Sequence, residues 1–260
     1  MSSARVTSDN SATAPSASPR SALCDWGSHL RLWSITIVGL ALDLWSKQWA
    51  FQTLRQGGKQ PLIPHVLSFE TALNSGALFG IGSGQTAFFI VASMLALGLV
   101  LWMFIQNPPH RRLLQIALGG ILAGAMGNMY DRVTVRLISP GQFGLQTDQG
   151  RIGRYCQLIE ADAERISVKE YPPAPDEPLY TLSGDDRAAA ERPAGYVRDF
   201  IKINTTFRGK QLWPWVFNVA DMLLVVGVSI LAIHLWTDRR QPDHAAGGSS
   251  EDADEPAAQD

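Results

Sequence analysis

The chain has 260 residues, 46% of them hydrophobic, and a formal net charge of -2. That near-neutral balance excludes the basic stripe of a nucleic-acid binder, so no nucleic-acid partner is expected. The mean hydropathy of +0.00 averages apolar blocks with polar tails, so it does not exclude a membrane protein.

Met1 to Arg20 is rich in Ser, Ala and Pro and has no apolar centre. It reads as a disordered tail and not as a signal peptide. A membrane-spanning helix needs about 20 largely apolar residues. Four segments are long enough: 30–51, 86–105, 113–132 and 213–236. The first is interrupted by Asp43 and Lys47, which are spaced i,i+4 on one helix face and are expected to pair. Such a pair is either a structural salt bridge near the interface or part of a site. The second segment carries no charge. The third places Gly120 four before Gly124 and Ala123 four before Gly127, a small-residue spacing that lets helix backbones approach closely. Trp213, Trp215 and Trp236 bracket the fourth, as interfacial aromatics do. Four such blocks in so short a chain leave too little polar surface to clothe them as core helices of a soluble protein. The predicted class is an all-α integral membrane protein: four transmembrane helices, small external β elements and a long external insertion.

Arg20 and Arg31 accompany the first helix, His110, Arg111 and Arg112 lie in the turn 106–112, and Arg239 and Arg240 follow the fourth helix. By the positive-inside rule both tails, 1–29 and 237–260, and the short turn are cytoplasmic. Arg55 and Lys59 on the opposite side run against that bias. The segments 52–85 and 133–212 are then external. Residues 66–71 and 165–169 alternate as short strands do. The stretch from about 139 to 194 is polar and rich in Pro and Gly. It reads as either a small β subdomain or a disordered insertion, an external appendage that does no chemistry.

Ionisable residues at membrane depth are usually functional. The third helix ends in Gly127-Asn128-Met129-Tyr130-Asp131-Arg132. Adjacent opposite charges at a helix end can simply be interfacial, but Asn128 one turn back points to a hydrogen-bonded network. The fourth opens with Phe217-Asn218-Val219-Ala220-Asp221, and an unbroken apolar run follows from Met222 to Ile233. Asp221 therefore lies at the external edge, on the same face as Asn218. Upstream, Asp199 is the lone acid of Tyr196-Val197-Arg198-Asp199-Phe200-Ile201. Two carboxylates that meet there suit acid–base hydrolysis. The alternative is a proton- or ion-coupled transporter, which also uses intramembrane carboxylates. Cys24 and Cys156 form no metal or redox spacing, and no phosphate-binding glycine loop is present, so neither metal nor cofactor is implied.

With these motifs in order, the chain resembles the lipoprotein signal peptidases (signal peptidase II). The family's Asp-x-x-x-Lys matches Asp43 and Lys47, and its Asn-x-Gly matches Asn74-Ser75-Gly76, followed by Ala77 and Phe79. Gly-Asn-x-x-Asp-Arg matches Gly127 to Arg132, Val-x-Asp-Phe matches Val197 to Phe200, and Phe-Asn-x-Ala-Asp matches Phe217 to Asp221. The resemblance implies a membrane aspartic endopeptidase with Asp199 and Asp221 as its catalytic pair. Asp43, Lys47, Asn74, Gly76, Asn128, Asp131, Arg132 and Asn218 then bind substrate or support the site. It implies removal of the signal peptide from diacylglyceryl-modified prolipoproteins, with cleavage just before the lipidated Cys, in the bacterial cytoplasmic (inner) membrane. Prolipoprotein and membrane lipid are the expected partners, and the chain is expected to act as a monomer. The departure lies between Arg132 and Val197, where the chain runs roughly sixty residues beyond a short connection, far longer than the usual loop.

Overall fold

In a computed structural model the described residues are 21–76, 85–142, 144–162, 165–182 and 193–238. Of the tails expected at 1–29 and 237–260, residues 1–20 and 239–260 fall outside them, as do Ala77 and Phe79. Four long helices form: α1 (Trp26–Leu54), α2 (Thr86–Gln106), α3 (Arg112–Thr134) and α4 (Val219–Asp238). Asp25 caps α1 by accepting from the Ser28 N–H at 2.7 Å. The helix therefore starts four residues before Leu30, and Ala22–Cys24 forms a single 3-10 turn ahead of it, where a tail was expected. α4 starts later than the expected residue 213. Pro214 has no N–H and biases Trp213 to an extended backbone, while Asn218 is a strong helix-capping residue. Val216–Phe217 accordingly forms a strand.

α3 is the central helix, with α1, α2 and α4 all packed on it. Of its apolar window 67% is buried, against 11% for α2 and for α4, so the outer two leave most of their surface to lipid. α2, α3 and α4 are each long and apolar enough to cross a membrane. Apolar side chains such as Phe88, Leu95 and Leu99 on α2 and Val225 and Ile233 on α4 point outward. In lipid there is no hydrophobic drive between helices, so close backbone contact must hold them. The sequence meets this at Gly124, where a Cβ would lie 2.5 Å from the Ala220 carbonyl oxygen of α4.

The polar end of the bundle is built from strands. They are β1 (Lys59–Ile63), β2 (Leu67–Asn74), β3 (Arg136–Leu137), β4 (Leu145–Thr147), β5 (Gly150–Ile152), β6 (Cys156–Ala161) and β7 (Ile166–Glu170). There follow β8 (Tyr180–Thr181), β9 (Ala194–Gly195), β10 (Val197–Ile203), β11 (Thr206–Phe207), β12 (Lys210–Gln211) and β13 (Val216–Phe217). This corrects the all-α expectation: the protein is a helical bundle with a substantial β portion. Many of these strands have only two or three residues, too few to show alternation, and β3 pairs with a partner distant in sequence, β9.

An antiparallel sheet in the order β1-β2-β10-β13 lies across the ends of α1 and α3. Val197 pairs with Asn74, Asp199 with Ala72, and Ile201 with both Phe69 and Phe217. The described part of 139–194 is a β subdomain, which decides between the two readings left open. Its own core contains Leu145, Ile152, Cys156, Ile166, Val168 and Leu182, with Ile138 from its stem. That stem is β3 against β9, with Arg136 opposite Gly195, extended by Tyr196 N–H donating to the Val135 carbonyl at 3.0 Å. The chain leaves the bundle and returns to it at one point, so the extra length does not displace β10.

Candidate active site

β10 and the first turn of α4 bring Asp199 and Asp221 to the wall of one cavity of about 630 Å³. α2 supplies Phe89, Ala92, Ser93 and Ala96, α4 supplies Met222, Leu224 and Val225, and Trp213 and Trp215 also line it. α2 and α4 each pack on α3 but scarcely touch one another, and the cavity occupies the gap between them. Its walls are therefore apolar except at the end where the two carboxylates sit.

Each carboxylate is held by amides. Asp199 accepts from Asn218 Nδ2 at 2.6 Å and from Asn74 Nδ2 at 3.1 Å. Asp221 accepts from Asn128 Nδ2 at 2.8 Å and from the Asn218 backbone N–H at 3.2 Å. Asn218 Oδ1 in turn accepts from the Asp221 N–H at 3.0 Å. That reciprocal pair is a capping box, so the motif that starts the helix also fixes the direction of Asp221. Asn218 reaches both acids, and its amide also donates to Asn128 Oδ1 at 3.2 Å. Burial, and after it the neighbouring Asp221 carboxylate, push Asp199 well above the ordinary carboxylate range; the Asn74 and Asn218 amides and Lys47 oppose the shift.

Behind the acids lies a buried ionic chain. Lys47 Nζ is 2.7 Å from Asp43 Oδ2, 3.0 Å from Asn128 Oδ1 and 3.4 Å from Asp131 Oδ2. Asp43 Oδ1 accepts from the Ala220 N–H at 2.8 Å, tying α1 to the start of α4. Asp131 is fully buried and takes Arg198 through its N–H at 2.9 Å, Nε at 3.1 Å and Nη2 at 2.6 Å. Arg132 donates to the Gly76 carbonyl, stacks 4.5 Å over the Phe89 ring, and lines the cavity. Its buried Nη1 has no hydrogen-bond partner among the described residues. Gly76 N–H donates to Asn74 Oδ1 at 2.9 Å, which turns the Asn74 amide toward Asp199.

All ten expected site residues thus belong to one connected network. The Asp43–Lys47 pair is fully buried within it. Arg198 and its partner Gln48, 2.9 Å from Nη1, were not expected. The signal available for Arg198 was a basic residue directly beside Asp199 in the strand Val197–Ile203.

The profile of the family described as Signal peptidase (SPase) II matches residues 35–237. This chain belongs to the signal peptidase II family. A lipoprotein signal peptidase of Clostridium novyi is 35% identical over 201 residues, covering 77% of this chain and 94% of the relative. One from Rhodopirellula baltica is 34% identical over 255 residues, 96% of this chain and 91% of its own, so the match runs through the segment 139–194. Two solved structures described as a bacterial membrane enzyme share the fold. One has a TM-score of 0.52 at 22% identity over 85% of this chain and 93% of that one. The other has a TM-score of 0.50 at 23% identity over 79% and 92%. Signal peptidase II membership makes the chain an aspartic peptidase, and it favours that reading over the ion-coupled transporter.

Proposed function

We propose that Asp199 and Asp221 are the catalytic dyad of this signal peptidase II. The protein removes signal peptides from prolipoproteins, as its family membership and its relatives' names support. The finer reading is that the substrate carries a diacylglyceryl-modified Cys and is cut just before it. The observation that carries the assignment is the pair of amide-held carboxylates at the polar end of an apolar cavity between α2 and α4. Acyl chains stay against the apolar walls, and the peptide enters sideways from lipid toward the acids.

Charge balance supports a singly protonated dyad. The buried cluster holds four carboxylates (Asp43, Asp131, Asp199, Asp221) and three cations (Lys47, Arg132, Arg198). One shared proton makes it neutral, as a low-dielectric site favours, since two adjacent carboxylates resist ionising together. The ionised acid takes a proton from water, and the oxygen attacks the scissile carbonyl. The protonated acid stabilises the oxyanion and then delivers its proton to the leaving amine. The free Arg132 Nη1 and the Asn218 and Asn128 amides are placed to hold substrate backbone, while Asp43, Lys47 and Asp131 hold the frame and Asn74 and Gly76 orient Asp199.

Four helices span the membrane in this reading, α1 included, with both termini cytoplasmic, the dyad near the external face, and the enzyme acting as a monomer. Asp199→Asn and Asp221→Asn, assayed on a lipidated prolipoprotein in detergent, are expected to lose about 10³-fold or more in kcat with normal insertion. Near-normal turnover by either variant removes that residue from the dyad. Single cysteines at positions 112 and 146 test the orientation: an impermeant reagent on intact cells is expected to label 146 alone.

A further inference from the structure

We propose that Arg198 is a positioning residue for Asp199: it fixes that carboxylate relative to Asp221 by tying strand β10 to α3. The inference rests on the reading of Asp199 as catalytic. The Val-x-Asp-Phe motif leaves position 198 open, so the resemblance assigns Arg198 no role. Neighbouring side chains of a strand point to opposite faces. Asp199 accordingly lines the substrate cavity, while Arg198 lines a polar cavity between α1, α3 and the β subdomain.

The strand needs an anchor at this point. Its register against β2 shifts between Asp199 and Ile201, a break in the ladder of the kind that re-aims a side chain. On the other edge of β10, the pairing with β13 covers Ile201 and Lys202, beyond the carboxylate. The ladder alone therefore holds Asp199 from one side. On the second side a carboxylate stands where a strand would pair. Asp131 Oδ2 accepts the Arg198 backbone N–H at 2.9 Å, and Asp131 Oδ1 accepts Nε at 3.1 Å and Nη2 at 2.6 Å. Main chain and side chain of one residue thus close on one carboxylate, through a planar fork that Lys cannot reproduce. Nη1 donates to Gln48 Oε1 of α1 at 2.9 Å, which fixes the remaining arm of the guanidinium. Arg198 is 5% exposed and Asp131 fully buried, so water competes little for these charge-assisted bonds.

The same turn of α3 holds the other acid. Asn128, three residues before Asp131, donates to Asp221 at 2.8 Å. Lys47 reaches both Asn128 Oδ1 at 3.0 Å and Asp131 Oδ2 at 3.4 Å. Arg198 ties Asp199 to that turn as Asn128 ties Asp221 to it, so one helical turn sets the separation of the two carboxylates. The chemistry depends on that separation, because displacing a reacting group by about 1 Å costs on the order of 10²-fold in rate.

Arg198→Lys keeps the charge and removes the fork. With purified full-length enzyme and a lipidated prolipoprotein, kcat is expected to fall about tenfold or more with KM unchanged, the effect of losing a hydrogen bond between charged groups that do not touch substrate. The deficit should persist well below the variant's thermal midpoint, where the protein is fully folded. Gln48→Ala, at an exposed position of α1, releases Nη1 alone and should lower kcat about threefold with an unchanged midpoint. In the Arg198→Lys background it should have little further effect, because the two residues act as a unit. Wild-type kcat in Arg198→Lys would show that charge alone suffices and would overturn the proposal. So would a loss confined to KM, a deficit that disappears in the fully folded protein, or full additivity with Gln48→Ala. Should Arg198→Lys not fold, Gln48→Ala decides, and wild-type kcat there overturns the proposal. Asp199→Asn measured alongside separates the two readings: if it stays active, the dyad assignment fails first; if it is dead while Arg198→Lys is normal, only this inference fails.

Discussion

Gly195→Ala probes the stem that returns the chain to the active site. A Cβ at Gly195 would lie 2.1 Å from the Arg132 carbonyl oxygen and 2.7 Å from Thr86 Cγ2. Both neighbours are poorly able to yield, because one is helix backbone and the other belongs to the first residue of α2. Restoring an ordinary contact of roughly 3.4 Å requires β9 to retreat by about 1 Å. That movement lengthens the Gly195 N–H bond to Thr86 Oγ1, now 3.2 Å, and the Tyr196 N–H bond to Val135, now 3.0 Å. Asp199 lies four residues further along the same extended run. Overpacking of this kind costs about 1–3 kcal/mol of stability. A displacement of about 1 Å at a reacting group costs on the order of 10²-fold in rate. The expected result is therefore a modest fall in thermal midpoint and a much larger fall in kcat on a lipidated prolipoprotein. Gly153→Ala, where a Cβ meets nothing within 4 Å, is the control and should be silent. A Gly195→Ala enzyme with wild-type kcat and midpoint would refute the reasoning. A variant that is destabilised yet fully active at low temperature would show that the stem supports the fold without setting the site.

Asp131→Asn should act through stability, because it weakens a fully buried acceptor of Lys47 and Arg198; the expected loss is about 3 kcal/mol, read by thermal unfolding. A variant as stable as wild type but inactive would move Asp131 into the chemistry. Asp199 supplies a pH dependence whose sign follows from its raised folded-state value. The folded chain keeps a proton that the unfolded chain loses near the ordinary 3.8, so this group's contribution to stability falls as pH rises from there through the folded value. Asp199→Asn should gain on wild type in thermal midpoint as pH is raised from about 5 to about 8, and parallel curves would contradict the burial argument. Cys156 is buried, with its thiol pushed up to about 12 by burial and then by Glu170 and Glu177, whereas Cys24 is exposed. A thiol reagent should modify one cysteine in the folded protein and the second only after unfolding; rapid double labelling would mean that the β subdomain opens.

What the sequence determined by itself is what depends on neighbours along the chain. Apolar length marks α2, α3 and α4, because a helix satisfies its own backbone whatever surrounds it. The Asp43–Lys47 pair lies one helical turn apart, and the Asn218–Asp221 box lies within one turn, so both contacts were legible from spacing. The short motifs added the remaining site residues through family resemblance. Tertiary structure alone decided their company. Asn74 meets Asp199 across 125 positions, Lys47 meets Asn128 across 81, and Arg198 meets Asp131 across 67. Strand pairing over such separations depends on global register, and the two- and three-residue strands of the β subdomain carry no local period to announce it.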